Sequence, residues 1–107
     1  MEEQPQKPIR SYEDLDVYQR SMALVRPIHD IVKIFPAFEE RDLVSQMRRA
    51  AKSVPANIAE GFSKKRGDKD FKLYLAYAMG SANEMLVHLQ IARELGYVGD
   101  EEAAPLI

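Results

Sequence analysis

Leu43-Val44-Ser45-Gln46-Met47-Arg48-Arg49-Ala50-Ala51-Lys52-Ser53-Val54-Pro55-Ala56-Asn57-Ile58-Ala59-Glu60-Gly61-Phe62 is the stretch whose reading decides the fold. At about 100° per residue, Leu43, Met47, Ala50, Ala51, Val54, Ile58 and Phe62 fall within about 120° of one another, while Arg41, Arg48, Arg49 and Lys52 fall opposite. One side is greasy and the other is charged, which is the pattern of a helix lying on a core. Glu39-Glu40-Arg41-Asp42 supplies the acidic first turn that a helix dipole favours, so this helix is predicted to run from there to about Phe62. Pro55 removes a hydrogen bond and crowds Ala51, yet the apolar period continues through it. A bent but continuous helix follows.

Working outward, the same period recurs on both sides. Upstream, Ser11-Tyr12-Glu13-Asp14 sets a hydroxyl ahead of acidic residues, a helix start, and the predicted helix reaches about Phe35 before Pro36 stops it. Leu15, Tyr18, Met22, Val25, His29 and Val32 form one stripe of it; Val17, Leu24, Ile28, Ile31 and Phe35 form a second. Two buried sides are implied, with a kink at Pro27. Downstream, Gly61 to Asp68 is a turn-rich basic loop closed by a capping Asp68, and a third helix is predicted from about Lys69 to Leu95. Phe71, Tyr74, Leu75, Ala78, Ala82, Met85, Leu89 and Ala92 are its main stripe, and Leu73, Ala76, Tyr77, Gly80, Val87 and Ile91 lie on the far side. Gly96 ends it.

The chain has 107 residues, which is one domain. Residues 1–10 hold two prolines and six polar or charged side chains, so a flexible leader is expected there, followed by a helical domain over 11–99. Asp100-Glu101-Glu102 opens a fourth helix, but residues 100–107 allow only a stub or a disordered tail. The fold class is all-α. The start lacks a signal peptide's basic and apolar regions and no apolar run spans a bilayer, so a cytoplasmic chain without membrane contact is expected.

Chemistry of the catalytic kind finds little support. With no Cys, disulfides, thiolate metal sites and cysteine nucleophiles drop out. Helical bundles can house di-iron centres built on Glu-x-x-His, and that pattern is missing; Glu84 and His88 are four apart, the spacing of a solvated helix pair. His29 reads as a hydrogen-bonded interior or boundary histidine. No nucleophile elbow, phosphate loop or zinc-protease pattern accompanies the serines. The expectation is therefore no enzyme, no metal and no cofactor.

Charge placement says more than the net −2. From Arg41 to Lys72 nine basic and four acidic residues leave +5, against −7 elsewhere. Such a local positive field attracts phosphates by counterion release. Arg41, Arg48, Arg49, Lys52, Lys64, Lys65 and Arg66 are the candidate nucleic-acid-binding residues. No aromatic base-stacking platform is interleaved with them along the chain, which predicts weak sequence selectivity and strong salt dependence. Solvation alone also accounts for a charged face, and a sequence pI near 5.7 is low for a dedicated binder.

Self-association has the firmer physical case. A helix in a simple bundle needs one apolar stripe, and the first and third helices each offer two. Leu73, Ala76, Tyr77, Gly80, Val87 and Ile91 are the candidate oligomer interface, with Ala76 and Gly80 letting backbones approach. A homo-oligomer is expected.

Tyr12-Glu13-Asp14-Leu15-Asp16-Val17-Tyr18-Gln19, Leu43-Val44-Ser45-Gln46-Met47-Arg48-Arg49-Ala50-Ala51, Ser53-Val54-Pro55-Ala56-Asn57-Ile58-Ala59-Glu60-Gly61, Gly80-Ser81 and Leu95-Gly96-Tyr97 together resemble the four-helix-bundle family of 23S rRNA intervening-sequence proteins. The resemblance implies a bacterial, non-enzymatic, up-and-down antiparallel bundle assembled as a ring-like pentamer, here with its fourth helix truncated or nearly absent. It also implies kinship to the accessory variability determinant of diversity-generating retroelements, and through it a reverse transcriptase and RNA or DNA as partners. A scaffold that docks another protein without touching nucleic acid is the alternative. Pro55 falls inside the family motif, so its bend reads as shared architecture; Pro27 is a departure. Arg48, Arg49 and Asn57 stand at motif positions. Arg48 has a structural alternative in an ion pair with Glu60, and Asn57 in satisfying the carbonyl freed by Pro55.

Overall fold

A computed structural model describes residues 8–64 and 68–106. Among these, every regular element is helical. A 3₁₀ turn (Tyr12–Asp14) leads into α1 (Asp16–Ile31), which ends in a second 3₁₀ turn (Val32–Ile34). A third such turn (Ala37–Glu39) precedes α2 (Leu43–Ser63). Then come α3 (Asp68–Glu94), the one-turn α4 (Asp100–Ala103) and a closing 3₁₀ turn (Ala104–Leu106). The fold is an all-α bundle of three long helices.

Several boundaries differ from expectation for local reasons. Ser11 is a cap, its Oγ accepting from the Glu13 amide at 3.2 Å while Asp14 accepts back from the Ser11 amide, also at 3.2 Å. What it caps is a 3₁₀ turn, because Leu15 adopts ψ 130° and breaks the helix before Asp16. Glu39 is not a dipole residue in the first turn of α2, which begins at Leu43. Residues 1–7 of the expected leader lie outside the described residues, and residues 8–10 are exposed and irregular. Over residues 100–106 the short α4 seats Ala103 in the core and Leu106 packs against it.

Both in-helix prolines sit in continuous helices. Pro27 is carried within α1 and Pro55, buried, within α2. Asn57 does not reach the carbonyl of Ala51 that Pro55 leaves free. Its Nδ2 donates to the Ser53 carbonyl at 2.8 Å, the position one turn back on its own ridge.

α2 is the central helix and makes the two main interfaces, one with α1 and one with α3. Extents of 44 × 37 × 17 Å describe a slab, with a radius of gyration of 16.0 Å against about 13 Å for a compact 100-residue domain. The core gathers at one end, where Ile28, Met47 and Leu89 are fully buried among Val32, Phe35 and Val44. α1 buries one face, through Ser21, Ile28 and Val32, rather than two. Ser21 is tolerated inside because its hydroxyl donates to the Tyr18 carbonyl at 2.8 Å.

Candidate nucleic-acid and assembly surfaces

Beside the core, α1, α2 and α3 line an apolar groove of about 300 Å³, with the core residues Ala51 and Met85 in its lining. Its walls include Val17, Leu24, Val54, Ile58, Leu75 and Met79. Val17 is 49% and Met79 66% exposed, so no described part of the chain covers them. α4 packs on the core through Ala103.

The second stripe of α3 is bare along its length. Leu73, Tyr77, Val87 and Ile91 are 47%, 51%, 50% and 41% exposed, and Ala76 and Gly80 are exposed between them. A methyl group at Gly80 would meet nothing within 4 Å. The six residues occupy an arc of about 100° on the helix surface, well separated from the buried arc of Ala78, Met85 and Leu89. Leu73, Ala76, Tyr77 and Gly80 form one run of this stripe and Val87 and Ile91 another, with the exposed carboxylate of Glu84 on the same arc between them.

The basic residues of α2 lie away from that helix's own apolar face. Arg48, Arg49 and Lys52 span about 100° of α2, opposite the groove-lining Val54 and Ile58. Their surroundings differ. Arg48 is ion-paired with Glu40, not Glu60, because the turn ahead of α2 folds Glu40 back over its first turns. Glu60 instead holds Lys64 at 3.4 Å, with the Lys64 ammonium 5.6 Å from the Tyr74 ring centre. The Tyr74 hydroxyl and then the Glu60 carboxylate raise the Lys64 ammonium above its ordinary value. Arg41, Arg49 and Lys52 make no ion pair with another described residue. Lys65 and Arg66 lie outside the described residues.

Arg49 borders a polar cleft between α2 and α3 with Gln46, Ser53 and Glu84. Beneath it His88 is buried, its Nε2 3.2 Å from the Glu84 carboxylate and its Nδ1 without a partner. The pair therefore forms at the expected spacing, but only Glu84 is solvated. His29 is half-buried, its Nδ1 2.8 Å from the Val25 carbonyl oxygen. Among the described residues no three His, Cys, Asp or Glu side chains converge to hold a metal ion.

Lys52 borders a different cleft, between α1 and α2. There the structure brings aromatic side chains to the basic ridge, which linear order conceals. Tyr12 and Tyr18 pack edge to face, ring centres 4.9 Å apart and planes at 70°, in the same cleft as Lys52 and Pro55. Two aromatic rings thus stand beside Lys52 although none is interleaved with the charges along the chain. Their signal in the sequence is indirect: both tyrosines belong to the Tyr12–Gln19 motif, but nothing local tells that this motif packs on α2.

No described helix is long and apolar enough to cross a membrane. A family model described as 23S rRNA-intervening sequence protein matches residues 13–107. A search of curated proteins finds no match to the chain.

Proposed function

The chain belongs to the 23S rRNA-intervening sequence protein family, and from that membership we propose that it is a non-enzymatic, self-assembling helical protein of the bacterial cytoplasm that holds RNA by its phosphates. The observation that carries this reading is the two-sided α2. Its basic residues lie opposite the side chains that line the groove, so copies that associate through the groove leave Arg41, Arg49 and Lys52 free to meet a polyanion. Groove and stripe are different surfaces on one chain, a heterologous pairing that closes into a ring when the rotation between copies allows. A pentamer is the closure that the family likeness favours. The finer kinship to the retroelement accessory determinant, with a reverse transcriptase as partner, rests on the same exposed basic ridge.

The Arg48–Glu40 and Lys64–Glu60 pairs favour the second reading, a scaffold for another protein, because they remove two cations from the phosphate-binding set. Charge reversal separates the two. Replacing Arg41, Arg49 and Lys52 together by Glu is expected to abolish RNA retention at low salt and leave the assembly mass unchanged. RNA binding of wild-type strength by that variant would favour the scaffold. Assembly itself is read by sedimentation: a multiple of 12.2 kDa at micromolar concentration is expected, and a monomer would overturn it.

A further inference from the structure

The cleft between α1 and α2 does more than border the basic ridge. We propose that it is a binding site for one unpaired base of single-stranded RNA, with Lys52 on the adjoining phosphate; this inference rests on the RNA reading and gives it a structural preference.

The cleft has about 290 Å³ of space, at the small end of the range for ligand pockets, a size that suits a single planar ring system with its sugar. It is lined by Tyr12 and Tyr18 together with Met22, Val25, Lys52 and Pro55. Ring-on-ring stacking is the sequence-tolerant way in which proteins hold unpaired bases, because every base presents a π-face. In an edge-to-face pair, the ring that offers its edge keeps both of its own faces clear of its neighbour. Neither tyrosine hydroxyl bonds another described residue, so both remain available to a base edge or a sugar hydroxyl.

The platform is preorganised. The turn that carries Tyr12 is locked by the Ser11–Asp14 capping box, by the Arg10 amide donating to Asp14 at 2.8 Å, and by Gln19 donating from α1 to the Glu13 carbonyl at 2.9 Å. The same turn packs against α2. Ordering is thus complete before a ligand arrives, which lowers the cost of binding. Charge complements shape: Lys52 has no carboxylate partner among the described residues, and Arg49, likewise without an ion pair, lies one turn away. Duplex RNA keeps its bases stacked inside the helix, so only a single strand can supply an occupant.

The test compares a labelled oligouridylate with a duplex RNA of equal phosphate number, by anisotropy over a salt series. Wild-type protein is expected to bind the single strand more tightly. Tyr12→Leu with Tyr18→Leu should weaken the single strand about 5- to 150-fold for each base stack removed, leaving the duplex affinity and both salt slopes unchanged. The Tyr→Phe pair, which keeps the rings, should restore single-strand binding. Lys52→Gln should weaken both RNAs and lower the single-strand slope by about 0.7. Unchanged single-strand binding by the Leu pair, while the Arg41, Arg49 and Lys52 charge reversal still abolishes retention, would overturn the base site and leave the phosphate-binding reading standing. A wild-type protein that retains neither RNA at low salt removes both. Should the Leu pair unfold, tyrosine nitration of wild-type protein decides: the oligouridylate, not the duplex, is expected to protect Tyr12 and Tyr18, and equal nitration with and without it overturns the site.

Discussion

The Tyr97 hydroxyl donates to the Glu39 carboxylate at 2.8 Å, joining the turn before α2 to the segment after α3 across 58 residues of chain. Glu39 is 8% exposed, and a carboxylate so placed requires a donor. Tyr97 also packs on Phe35, ring centres 5.3 Å apart, so its ring closes the core while its hydroxyl answers the buried charge.

That bond makes stability fall at alkaline pH. The hydrogen bond to Glu39, then burial and the carboxylate's charge, raise the Tyr97 phenol above its ordinary value of 10.0. The folded chain therefore keeps a proton that the unfolded chain has released. By linkage the contribution is complete below about pH 10 and is lost as pH rises through the folded value. Melting temperature followed from neutral pH upward should drop above about pH 10, and Tyr97→Phe should flatten that limb while lowering the neutral melting point by several degrees. An alkaline limb unchanged by Tyr97→Phe would place its cause elsewhere.

Gly61 lets α3 come close to α2 beside Tyr74. A methyl group at Gly61 would stand 2.5 Å from the Tyr74 Cβ and 3.3 Å from the Phe71 ring. Ala in a helix interior is ordinarily favoured over Gly by roughly 1 kcal/mol. Here the clash is with the stem of a side chain on a packed helix, and overpacking costs about 1–3 kcal/mol. Gly61→Ala is expected to lower stability in urea denaturation, the reverse of its propensity.

Gly80 gives the opposite outcome with the same substitution. Its space is open, so Gly80→Ala should stabilise the isolated chain by up to about 1 kcal/mol through the unfolded state and helix propensity. If the α3 stripe is where copies meet, the added methyl also props two backbones apart. The expected signature is a higher monomer stability with a weaker assembly, read by denaturation below the association range and by sedimentation above it. A rise in both would exclude Gly80 from the interface.

Periodic features are legible in the sequence itself. The apolar face of α2 and the two sides of α3 follow from residue spacing, since a helix buries what its 3.6-residue period aligns. What escapes such reading is whatever depends on tertiary neighbours. Ser21 belongs to neither apolar stripe of the first helix, yet its bond to the Tyr18 carbonyl allows it inside α1's buried face. Glu39 reads as a dipole acid because its true partner lies 58 residues on. The meeting of Tyr12, Tyr18 and Lys52 depends on the first turn folding back onto α2, which no local pattern encodes.

Gly96 governs how the chain leaves α3 and so whether Tyr97 reaches Glu39. Its φ of 78° is left-handed, its amide donates to the Arg93 carbonyl at 3.0 Å, and the Tyr97 amide donates to the Ala92 carbonyl at 2.9 Å. These two bonds are a Schellman closure, which satisfies carbonyls that the helix end leaves open and requires a residue free to adopt that φ. An L-side chain there costs about 1–2 kcal/mol, less for Asn, which enters this region more readily. Gly96→Ala should therefore destabilise more than Gly96→Asn. Because the turn aims Tyr97, Gly96→Ala should also blunt the alkaline limb that Tyr97→Phe removes. Equal stability of the Ala and Asn variants, with the limb intact, would show that the closure tolerates a different turn.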